Sequence, residues 1–62
     1  MKLKDLLKKI HAETVVIIKV NGETCYTGFA DYLRNVEYIA KSNVKVTVIY
    51  TEDNKIVVDI GI

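Results

Sequence analysis

Proline and tryptophan are absent from this sequence, cysteine and histidine occur once each, and glycine occurs three times. Each shortage excludes something. A lone cysteine, Cys25, rules out an internal disulfide and the multi-thiolate zinc sites that staple many small domains. A lone histidine, His11, leaves no two-histidine metal site within one chain. With no proline and only Gly22, Gly28 and Gly61, the composition argues against disorder. Apolar runs are short, far below the roughly 20 residues that span a bilayer. The start is basic, but lysine recurs at Lys8 and Lys9, so no signal-peptide stretch is read there. Neither sign of charge dominates, since the net is +1. The expectation is a cytoplasmic protein with a reduced thiol and no membrane partner.

What the chain does have is aliphatic side chains. Half of its 62 residues are hydrophobic, enough for one domain over residues 1–62. A chain this short buries only about 60% of its unfolded surface. Without disulfide or metal, it needs a very good core or a second copy of itself.

The spacing predicts an α+β fold in the order helix, hairpin, helix, hairpin, with a four-stranded antiparallel sheet and two short helices. Leu3, Leu6, Leu7 and Ile10 form the stripe of an amphipathic helix over about residues 2–10. No good N-cap precedes it, so its first turn is expected to fray. Residues 14–20 are β-branched and strand-favouring. Asn21-Gly22 is a two-residue hairpin signal, because both turn positions need positive φ. The return strand, residues 23–29, then sets Ile18 opposite Cys25 and Ile17 opposite Tyr26. Phe29, Tyr32, Leu33, Val36, Ile39 and Ala40 recur at helical spacing, predicting a second helix over about residues 32–41 with Asp31 as N-cap. In the last hairpin, a two-residue turn at Asp53-Asn54 would place Val48 opposite Asp59 and mix the faces. A three-residue loop, Glu52-Asp53-Asn54, places Val48 opposite Val58, Val46 opposite Ile60 and Val44 opposite Ile62, and is preferred because it keeps one face apolar.

No arrangement of residues spells out catalysis, and no cofactor or metal is expected. Cys25 with His11 is the one pair that suggests a nucleophile and its base. A mid-strand cysteine opposite Ile18 is better read as a buried, inert thiol. The carboxylates are dispersed, so neither an acid–base pair nor a calcium loop is written here. Residues 1–11 hold four lysines against one acid. Nucleic acid binding through Lys2, Lys4, Lys8 and Lys9 is therefore an alternative, although the segment has no arginine and no aromatic to stack on bases. Tyrosine suits interfaces because it joins apolar area to a polar tip. Tyr38 falls off the helical stripe and Tyr50 ends a strand, so both are candidates for partner contact.

Self-association is the leading expectation. One sheet face lies under the helices, and the other would expose more aliphatic surface than a monomer tolerates. Val16, Ile18, Ile49 and Val57 are the candidates for the contact between two copies.

The opening Lys2-Leu3-Lys4-Asp5-Leu6-Leu7, with Ile10, Glu13-Thr14-Val15 and the Asn-Gly hairpin, resembles short uncharacterised proteins encoded by phages and prophages of Firmicutes. The ending, from Ile49-Tyr50-Thr51 to Ile56-Val57-Val58, is similar to them as well. The resemblance covers both ends of the chain and no counterpart of residues 31–43. It implies a non-enzymatic accessory protein in the host cytoplasm that binds and inhibits a host protein, such as an antiviral defence component. A small-ligand sequestering protein with its pocket between two copies is the remaining alternative.

Overall fold

The computed structural model of the chain describes residues 1–61. The elements run α1 (Leu3–Lys9), β1 (Val15–Val20), β2 (Glu23–Phe29), α2 (Ala30–Arg34), α3 (Glu37–Lys41), β3 (Lys45–Glu52) and β4 (Lys55–Gly61). The α+β class holds, but the sheet is mixed. Its order is β2-β1-β4-β3, and β1 and β4 pair in parallel, Val16 beside Ile56 through Val20 beside Ile60. The two hairpins are joined at their most aliphatic strands. A central strand has neighbours on both sides, so the richest apolar sequences, VVIIKV and KIVVDIG, belong there. The more polar β2 and β3 take the edges, where exposed backbone is tolerated.

All three helices cover one face. Leu3 and Leu7 of α1, Ala30 and Leu33 of α2 and Ile39 of α3 pack on Val16, Ile18, Val58 and Ile60, each no more than 2% exposed. Fully burying such side chains contributes about 1.5–3 kcal/mol each. This cluster is therefore the main source of stability in one copy.

The first turn of α1 is held by something other than a side-chain cap. Lys2 is extended and makes no such cap. Instead the Leu3 N–H donates to the Val44 carbonyl at 3.0 Å, and the Val46 N–H donates to the Met1 carbonyl at 2.9 Å. Lys2 thus pairs with Lys45 in an antiparallel bridge. One otherwise unpaired helix-end amide is satisfied and the start of the β3 edge is covered. The expected fraying is replaced by this anchor.

The expected second helix is broken into α2 and α3. The Asn35 side-chain Nδ2 donates to the Asp31 carbonyl at 2.9 Å. A side-chain amide that takes a backbone carbonyl competes with helix continuation, and the next residue, Val36, is extended. In one straight helix Leu33 and Ile39 would lie about 120° apart around the axis; the break lets both reach the core. Asp31 falls in the first turn of α2 and does not cap it.

Both hairpins close on two-residue turns and both contain a bulge. Asn21 and Gly22 have φ of 52° and 84°, and Asp53 and Asn54 have 50° and 63°, as a turn matching strand twist requires. The three-residue loop is thereby corrected. Glu52 pairs with Lys55 and Val48 with Asp59, then Thr47 is inserted as an extra residue and Val46 returns to Ile60. The Thr47 hydroxyl donates to the Asp59 carbonyl at 3.1 Å. In the first hairpin Cys25 is the extra residue, so Ile18 faces Tyr26 and Ile17 faces Thr27. The proposed pairing of Val44 with Ile62 lies outside the described residues.

Candidate functional site

Among the described residues, the second face of the sheet carries no helix. Strand alternation sends Val15, Ile17 and Lys19 of β1 to this side, since Val16 and Ile18 point into the core. The registers then set one row across all four strands, Thr27–Ile17–Val57–Tyr50, and beside it a second, Thr24–Lys19–Asp59–Val48. Phe29, opposite Val15, extends the apolar surface at the β2 edge. Val57 is 1% exposed, shielded at the middle of its row. Around it Val48, Tyr50 and Phe29 remain 52%, 40% and 55% exposed. The Lys19 ammonium donates to the Tyr50 hydroxyl at 3.4 Å, which places a charge and a polar tip within the apolar field.

The residues expected to join two copies are divided by this geometry. Val57 lies on the uncovered face. Val16 and Ile18 are fully buried beneath the helices within a single copy; the outward residues of β1 are Val15 and Ile17. Ile49 pairs with Val58 on the helix side of the edge strand, where it is 49% exposed. β1 carries no extra residue, and its uninterrupted pairing with β4 sets Ile18 beside Val58 under the helices; the two-residue turn sets Ile49 opposite Val58, away from the face of Val57.

Of the two tyrosines expected to meet a partner, Tyr50 lies on the uncovered face. Tyr38 lies on the opposite side, its ring stacked on that of Tyr26 with centroids 6.5 Å apart. Tyr26 itself packs against the core, so Tyr38 closes an edge of the helix layer and is only partly available. Cys25 is exposed at its bulge rather than buried. His11 Nδ1 accepts a hydrogen bond from the Glu13 N–H at 3.2 Å, a local turn contact just after α1.

The lysines of the first segment do not form one patch. At about 100° per residue, Lys4 and Lys8 share one flank of α1 and Lys9 the other. Lys2 leaves the helix and sits beside Lys45. Among the described residues no three His, Cys, Asp or Glu side chains gather into a metal-binding group, and no helix is long and apolar enough to cross a membrane.

No family model, curated protein or solved structure matches this chain.

A second feature is hidden from sequence spacing. The loop after α1 is zipped to the start of α2 by two backbone hydrogen bonds, Ala30 N–H to the Thr14 carbonyl at 2.9 Å and Asp31 N–H to the Ala12 carbonyl at 3.1 Å. Between them opens a cleft of about 650 Å³ lined by Ala12, Glu13, Phe29, Asp31, Tyr32 and Asn35. Phe29 and Tyr32 belong by spacing to a helical apolar stripe, yet they are 55% and 64% exposed. Gly28 is the signal that could have found them. A Cβ there would stand 3.2 Å from Tyr32 Cδ2, so glycine lets the tyrosine ring lie on the β2 backbone. Arg34 likewise falls between the apolar positions of that stripe. Its Nη2 nevertheless donates to the Ile10 carbonyl at 3.2 Å, tying α2 to the end of α1.

Proposed function

We propose that this chain is a non-enzymatic binding protein that pairs with a second copy of itself through the uncovered sheet face. The observation that carries the reading is that face: Val15, Ile17, Val48 and Tyr50 around a shielded Val57, on one side of a sheet whose described helices lie on the other. A helix layer normally covers such a surface, and contiguous exposed apolar patches mark sites of association. Two-fold pairing is the commonest way for one patch to cover itself. Tyr50 adds a large apolar area with a polar tip at the edge of this face, a combination enriched at interfaces.

The resemblance of both chain ends to small phage and prophage proteins supports the further reading that the dimer binds and blocks a host protein. The test of self-pairing is sedimentation equilibrium at micromolar to millimolar concentration. The reading expects mass to rise from 7.0 kDa toward about twice that value as concentration increases. A mass fixed at one chain across the range would remove the dimer, and with it the main support for a binding role.

A further inference from the structure

We propose that the cleft between the α1–β1 loop and α2 binds an organic cation, an alkylammonium or guanidinium group carried on an apolar stem. The inference goes beyond the pairing of sheet faces and uses different residues, apart from Phe29 at the shared rim. Three features of the cleft select this ligand class. Its walls include two half-exposed aromatic rings, Phe29 and Tyr32, whose faces attract cations. Its charged lining is wholly acidic: Glu13 and Asp31 contribute carboxylates, and no lysine, arginine or histidine lines it. Among the described residues the one ion pair is Lys41 with Glu37, which leaves both cleft carboxylates without a cationic partner.

The remaining polar groups agree. Asn35 uses one of its two side-chain N–H groups on the Asp31 carbonyl, and its Oδ1 is left to accept. A ligand rich in N–H donors and poor in acceptors complements this lining; an anion or a neutral acceptor does not. The site is also built before any ligand arrives. The two backbone hydrogen bonds fix loop against helix, and Gly28 leaves room for the Tyr32 ring to lie against β2. The backbone of the cleft then needs little ordering on binding. The volume falls within the ~300–1,000 Å³ of small-ligand sites.

The test is an amide chemical-shift titration of the whole chain. The probes are N-acetyl-arginine methylamide, N-acetyl-lysine methylamide, spermidine and, as an uncharged isostere, N-acetyl-citrulline methylamide. Saturable shifts confined to residues 12–13 and 28–35 are expected with cationic probes and not with citrulline. Saturation by the amino-acid derivatives alone assigns the site to a polypeptide side chain. Saturation by spermidine assigns it to a free polyamine, and either supports the proposal. Tyr32→Ala, and separately the Glu13→Gln/Asp31→Asn pair, should weaken binding by about five- to tenfold with the remaining spectrum unchanged. Equal binding of citrulline, unaltered affinity in the charge-removed variant, or no saturation by any cation at about 20 mM would overturn it.

Discussion

Replacing Val48 and Tyr50 together by serine separates the stability of one copy from the association of two. Both side chains stand on the uncovered face, 52% and 40% exposed, so much of their surface is already in water in the single copy. Full burial of such a side chain is worth about 1.5–3 kcal/mol, and roughly half of that, about 0.7–1.5 kcal/mol, is still to be gained at each. A two-fold pair uses each position twice. Its four half-burials sum to about 3–6 kcal/mol, a loss of some 10²- to 10⁴-fold in dimer affinity. The folded copy should lose much less, because Ile18, Val58 and the helices they meet are untouched. The assay is sedimentation equilibrium on wild type and variant, with urea unfolding at a concentration where both are single chains. An unchanged association constant in a variant that remains folded would mean that this face does not join the two copies.

Three further outcomes are expected of the fold. Ile18→Ala empties the centre of the helix-side core and should cost about 2–5 kcal/mol, comparable with the whole stability of a 62-residue chain, about 3–9 kcal/mol; urea unfolding should show little native baseline. Deleting Thr47 leaves Val48 beside Asp59 and Val46 beside Ile60, so the fold should survive with a change under about 1–2 kcal/mol; loss of amide shift dispersion would contradict the assigned bulge. Arg34→Met removes the hydrogen bond to the Ile10 carbonyl while keeping an apolar stem. It should destabilise by about 1 kcal/mol, measured by thermal unfolding.

Local patterns were the most legible part of this chain. The leucine stripe marked α1, Asn21-Gly22 marked the first turn, and the β-branched runs marked β1 and β4. How those pieces combine was less visible, for physical reasons. Parallel pairing of β1 with β4 depends on which aliphatic strands exclude most water together, and no short-range signal encodes that choice. The bulges at Cys25 and Thr47 each switch the face to which the rest of the strand points, and strict alternation assumes that no residue is extra. For Thr47 the assumption led to a three-residue loop; the chain instead keeps the tight turn and restores its apolar face one residue later. Asn35 is a polar residue at an unremarkable helical position until its side chain takes the Asp31 carbonyl. The candidate surfaces depended on which face of β1 the helices cover, a choice that strand alternation alone does not make. An apolar second face was expected, but its members on β1 are Val15 and Ile17 instead of Val16 and Ile18. The aromatic cleft depends on the contact between the α1–β1 loop and α2, which no spacing within either segment reveals.

Dilution of an isotopically labelled sample, monitored by methyl and amide shifts from millimolar to micromolar concentration, locates the contact directly. Pairing through the uncovered face should give concentration-dependent shifts at Val15, Ile17, Val48, Tyr50 and Val57, with Leu7, Leu33 and Ile39 still. Shifts centred on the helices, or none anywhere in the titration, would contradict it.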